Sequence, residues 1–196
     1  MQTHTITTYS FVELSEDAQR NAIEKLWDLN TGFDWWYESV LEDAKKVLSM
    51  LGVDVDNIYF SGFASQGDGA CFTGSYRYKI GAAKAIKAYA PEDEELHRIA
   101  GDLQDLQQRN FYGLTASITH RGRYYHEHSV SVDVEHTEGI DMPDDTVESV
   151  AALLRDLMCW IYRSLSSEYD YLTGEEAIRE SIEANDYEFT VEGDLY

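Results

Sequence analysis

The sequence predicts an α+β fold: a four-stranded antiparallel sheet from two hairpins with helices packed on one face, in the order ααββααββαα. Three observations carry this expectation. Apolar residues recur at helical spacing in several separate segments, two runs alternate strictly between apolar and polar, and glycine-rich turn signals join strand-like pairs. At 196 residues the chain is long enough to bury a real core. It is read as a single domain over 1–196, with 173–196 readable as an acidic appended tail.

Ser15-Glu16-Asp17 supplies a hydroxyl N-cap and two acids at a helix start. Ala18, Ala22, Ile23, Leu26 and Leu29 continue that helix towards Asn30-Thr31-Gly32. A second helix is expected to begin at Asp34, with Trp36, Val40, Leu41, Ala44, Val47, Leu48 and Leu51 on its apolar stripe and Gly52 as its stop. Residues 58–64 and 70–79 read as strands around Ser65-Gln66-Gly67-Asp68-Gly69, where glycine favours a hairpin turn. Helices are expected over 81–90 and from Pro91-Glu92-Asp93-Glu94 to about Arg109.

The second hairpin carries the clearest pattern. Leu114, Ala116, Ile118 and His120, then His126, His128, Val130, Val132, Val134 and His136, share one parity. Thr115, Ser117 and Thr119, then Glu127, Ser129, Ser131, Asp133 and Glu135, share the other. Such alternation means one face on the core and one in water. The turn falls at Arg121-Gly122-Arg123-Tyr124. Pro143-Asp144-Asp145 starts a long helix through Leu165, a short acidic helix follows from Thr173, and 187–191 is read as an added edge strand.

Composition excludes several classes. Only Cys71 and Cys159 are present, in no metal-type spacing and in no secreted framework. Residues 1–5 have no basic region followed by an apolar run, so no signal peptide is expected. No run is long enough to span a bilayer, and the cytoplasm is the expected compartment. The net charge of −22 is placed unevenly. Residues 126–196 hold nineteen Asp/Glu against Arg155, Arg163 and Arg179, a net −16, and the first 125 residues carry the other −6. Such a surface repels nucleic acid and anionic membrane and either attracts basic partners or serves solubility alone, as a solvated face without a partner.

The opening Tyr9-Ser10-Phe11-Val12-Glu13-Leu14-Ser15, with Trp35-Trp36 and Asp43-Ala44-Lys45, resembles a family of small phage and prophage proteins. Tyr59-Phe60-Ser61-Gly62-Phe63-Ala64-Ser65-Gln66-Gly67-Asp68-Gly69-Ala70-Cys71-Phe72 is similar to the same family's signature. The resemblance is clearest over roughly the first eighty residues. It implies a viral or mobile-element origin and transfers no catalytic residues; some members are labelled antitoxins.

Candidate sites follow from residue type. Gly67-Asp68-Gly69-Ala70-Cys71-Phe72 superficially resembles the nucleophile motif of ovarian-tumour-type deubiquitinases, whose cysteine opens a helix. Here Cys71 leads into an alternating strand, so the activating helix N-terminus is missing and a hairpin is expected. His120, His126 and His128 fall on one face near one hairpin end, the last two about 6–7 Å apart along the strand. They are read either as a polar fringe closing the core or as a trio for a divalent metal. Trp27, Trp35, Trp36 and Tyr37, at or near helix ends, are read as core packing or as the wall of a binding groove, and no Gly-Lys-Ser/Thr loop exists for phosphate.

The remaining candidates are acids: Glu127, Asp133 and Glu135 on the strand face, and Glu175, Glu176, Glu180, Glu183, Asp186 and Glu188 beyond. Helix residues four apart are separated by about 6 Å along the axis, comparable with phosphate spacing. The leading expectation is a non-enzymatic, phage-type protein without a cofactor that occludes a basic host nucleic-acid-handling or defence protein, its carboxylates standing in for phosphates. Two alternatives remain: a metal-binding module or metal-dependent enzyme on His120, His126 and His128, and an antitoxin-like partner of a basic toxin.

Overall fold

The computed structural model describes residues 7–33 and 35–196. Residues 1–5, read for a targeting signal, include none of these, and Asp34, read as a helix start, also lies outside the described residues. In chain order the elements are β1 (Tyr9–Ser10), α1 (Glu16–Lys25), α2 (Glu38–Leu51), β2 (Val53–Ser61), β3 (Gly69–Arg77), α3 (Ala82–Tyr89) and α4 (Glu94–Arg109). There follow β4 (Leu114–His120), β5 (Val130–His136), α5 (Asp144–Leu172), α6 (Glu175–Ala184) and β6 (Glu188–Phe189). The α+β class, the four-stranded antiparallel sheet and the ααββααββαα order are as expected, with the two-residue strands β1 and β6 added at either end. Two compact units form: Met1–Tyr37 with Ser167–Tyr196, and Glu38–Ser166.

In the first unit, Ser15 Oγ accepts from the Ala18 N–H at 3.3 Å and opens α1. The helix ends at Lys25, short of Asn30, because the chain continues in tighter turns with Leu29 N–H donating to Leu26 O and Thr31 N–H to Asp28 O. Ala18 and Ala22 of α1 pack with Ile178 and Ile182 of α6 and with Phe11, Leu14 and Phe189. Burying each isoleucine is worth roughly 1.5–3 kcal/mol. Phe11 meets Phe189 edge-on at 6.1 Å between centroids. Residues 173–196 thus fold as α6 and β6 on this core. The strand expected over 187–191 does form at β6, but it pairs with β1 and adds nothing to the four-stranded sheet.

In the second unit the strand order is β2-β3-β4-β5. Ala70, Phe72, Tyr76, Leu114, Ala116 and Ile118 form its buried face, against which the helices pack, and Ser117, Thr119, Asp133 and Glu135 are exposed on the other. The strand β2 starts at Val53, five positions before the expected start. A bulge between Val55 and Asn57 inserts a residue, so Val53/Val55 and Ile58/Phe60 reach one face across a break in the alternation.

Helix α2 begins at Glu38, and Trp35 and Trp36 precede it. The expectation of core packing fails for Trp27 and Trp35, which are 53% and 65% exposed. Both fall in the irregular chain between α1 and α2, so no helical stripe turns them inward. Trp36 is half-buried against Tyr37 and Tyr169.

Candidate functional site

On α6, Ala177, Ile178 and Ile182 are buried, so the opposite side must face water. Glu176, Glu180 and Glu183 stand there, all exposed, at i, i+4 and i+7. Gly174 and the two first-turn acids, Glu175 and Glu176, mark the helix start, where carboxylates suit the dipole. Glu175 accepts from Arg179 at 3.0 Å, which neutralises it locally. Asp186 is exposed in the turn after the helix at φ +52°, and Glu188 Oε2 accepts from the Thr8 hydroxyl at 2.8 Å. Glu176, Glu180 and Glu183 are therefore the stripe that the fold presents.

Asp133 and Glu135 lie in the second unit, on the exposed face of β5, opposite Ser117 and Thr115 of β4. Neither makes an ion pair among the described residues. Glu127 does not join them, contrary to the expected strand from 126. Residues 121–129 form a loop that ends in a 3-10 turn, Glu127–Ser129, and β5 starts only at Val130. The cause is local capping. His126 Nδ1 accepts from the His128 N–H at 3.1 Å, and Ser129 Oγ accepts from the His126 N–H at 3.1 Å, taking these residues out of the ladder.

The same turn separates the histidines. His120 Nε2–H donates to Tyr124 O at 2.9 Å, and its ring lies 5.5 Å from Tyr59 and 5.2 Å from Tyr125. His126 and His128 sit 6.3 Å apart by ring centroid on the turn, and not along a strand as expected. His128 Nε2 is 3.6 Å from Glu127. Among the described residues no group of three or more His, Cys, Asp or Glu side chains is placed to hold a metal ion.

The glycine-rich signature builds a loop. The Asp68 carboxylate accepts from the Ala64 and Ser65 N–H groups at 3.1 and 2.6 Å, closing the turn between β2 and β3. Tyr162 of α5 donates its hydroxyl to Gly62 O and stacks on Phe63 at 5.5 Å. Cys71 follows within β3, fully buried, with Ser129 Oγ at 3.6 Å. Burial pushes its thiol above the ordinary cysteine range, the opposite of nucleophile activation. The turn expected at Ser65-Gln66-Gly67-Asp68-Gly69 is present, and the structure adds that the Asp68 side chain closes it.

These features describe an acidic α+β protein whose charged faces are carried on anchored secondary structure. Residues 36–175, well over half of the chain, match the family described as Domain of unknown function (DUF8835), and the chain belongs to that family. The match includes Glu127, Asp133, Glu135 and Glu175 and stops before the stripe of Glu176, Glu180 and Glu183. No curated protein and no solved structure matches the chain. Among the described residues no helix is long and apolar enough to cross a membrane.

Proposed function

We propose that this protein is a non-enzymatic ligand for a basic protein surface, acting by electrostatic occlusion of a partner that handles nucleic acid. The observation that carries the reading is the exposed stripe of Glu176, Glu180 and Glu183 on a helix fixed from beneath by Ile178 and Ile182. A fixed helix holds carboxylates about 6 Å apart along its axis with little ordering left to pay on association. A basic groove shaped for phosphates meets comparable charge there without bases. The phage-type resemblance suggests a host defence or nucleic-acid-handling protein as the target.

The test is the triple charge reversal Glu176→Lys, Glu180→Lys and Glu183→Lys. All three side chains are exposed, so the fold should survive with an unchanged far-ultraviolet spectrum. Host proteins retained by the immobilised wild-type chain should be lost by the variant. Retention of the same proteins at equal strength contradicts the reading.

A further inference from the structure

The positive charge is placed as deliberately as the negative. Between residues 45 and 91 the chain has six bases (Lys45, Lys46, Arg77, Lys79, Lys84 and Lys87) and three acids (Asp54, Asp56 and Asp68), a net +3 in a protein of −22. Of the nine bases elsewhere, Arg20, Lys25, Arg98, Arg163 and Arg179 each meet a carboxylate, and Arg109, Arg121, Arg123 and Arg155 form no ion pair among the described residues. None of the six meets a carboxylate among the described residues.

Two of the six line a cleft of about 440 Å³ where α2 ends and β3 runs out. Arg77 and Ser75 share one face of β3, two residues apart, and Ser49, Asp54, Tyr78 and Lys79 complete the polar lining. Lys79 Nζ donates to Ser49 O at 2.7 Å, which fixes its position at the end of α2 and leaves two donors. The guanidinium of Arg77 has no partner among the described residues. Gly52 makes the site possible: at φ +89° it brings the end of α2 so close that a Cβ would sit 2.1 Å from Arg77 O and 3.2 Å from the Lys79 Cβ.

We infer that this cleft binds the phosphate group of a small phosphate monoester with a hydroxylated carrier, such as a sugar phosphate. A planar guanidinium takes two phosphate oxygens at once, an ammonium adds a point charge, and the Ser75 hydroxyl adds a donor. The Asp54 carboxylate, a poor neighbour for phosphate itself, accepts from hydroxyl groups of the carrier. The volume lies within the range of small-molecule sites. Carboxylates farther than about 8 Å are largely screened at physiological ionic strength, so the local balance of charge governs binding. This site is independent of the acidic stripe on α6.

The test is titration of the isotope-labelled full chain with ribose 5-phosphate, inorganic phosphate and ribose, followed by amide chemical shifts. Ribose 5-phosphate should move the Gly52, Ser75, Arg77 and Lys79 amides, phosphate should move the same set more weakly, and ribose should move none. Arg77→Gln, at an exposed position, should keep the remaining spectrum and weaken ribose 5-phosphate by about tenfold or more. Lys87→Gln removes the same unit charge away from the cleft and should change affinity by less than about twofold. No shift of those amides by ribose 5-phosphate overturns the site. So does equal weakening by Lys87→Gln and Arg77→Gln, which would reduce it to diffuse charge.

Discussion

The side-chain amide of Gln107 holds the backbone of Leu114 from both sides: its Nε2 donates to Leu114 O at 2.8 Å, and its Oε1 accepts from the Leu114 N–H at 3.2 Å. The same Nε2 reaches the Tyr76 hydroxyl at 3.2 Å, so one buried residue of α4 ties together β3 and β4. Gln107→Ala leaves a buried N–H, carbonyl and hydroxyl short of partners. We expect it to lower the unfolding free energy by about 2–4 kcal/mol, measured by urea denaturation. A loss below about 0.5 kcal/mol would mean that the grip is dispensable.

Gly69 fixes how closely two hairpin loops approach. A Cβ there would lie 2.6 Å from the His126 Cβ and 2.9 Å from its Cα. Both loops must move to admit a methyl group, so Gly69→Ala should cost about 1–3 kcal/mol. Amide shifts should change in residues 62–69 and 121–129 together. A change restricted to the first loop would show that the two are not packed as described.

Phe111 stands at φ +50° and is 87% exposed at the end of α4, followed by Tyr112 at φ +61°. A left-handed backbone costs a non-glycine residue roughly 1–2 kcal/mol, and exposure leaves Phe111 little packing in return. Phe111→Gly should therefore raise the unfolding free energy, by about 0.5–1 kcal/mol after the extra chain entropy of glycine. Thermal denaturation measures this, and a lower melting temperature contradicts it.

Cys71 and Tyr76 give the fold an alkaline limit. Burial raises the pKa of both groups, with the Gln107 hydrogen bond working the other way at Tyr76. The folded chain therefore binds more protons than the unfolded chain at alkaline pH, and stability falls as pH rises. The contribution of Cys71 is whole below the ordinary thiol pKa of about 8.5 and is lost as pH climbs through the raised value. Tyr76 acts in the same direction from about pH 10. Urea midpoints should fall across this range, and Cys71→Ala should flatten the lower part of the decline. An unchanged pH profile in that variant would contradict the assignment.

Much of the fold was legible because local signals agreed with tertiary demands. Asp93 caps α4 through the Leu96 N–H, Asp144 and Asp145 open α5, and Leu114, Ala116 and Ile118 keep one parity on the buried face. What escaped had competing causes. A bulge hid Val53–Asn57, imidazole and hydroxyl capping removed 126–129 from β5, and a two-residue strand at β6 has too little periodicity to show its partner. The acids of the candidate site were legible individually. Which of them share a helix face, that Arg179 answers Glu175, and that Glu127 leaves the strand were set by the packing of α6 and the capping of the 3-10 turn.

On the proposed function, the α6 stripe occupies a groove built for phosphates. The most direct test is competition: host proteins held by the immobilised chain are challenged with short duplex DNA, beside the Glu176→Lys, Glu180→Lys and Glu183→Lys variant. The expected result is a retained basic nucleic-acid-binding protein, displaced by duplex, released steeply by added salt, and absent from the variant. Retention that duplex leaves untouched, equal retention by the variant, or no retained protein at all would contradict it and leave the carboxylates as a solvated surface.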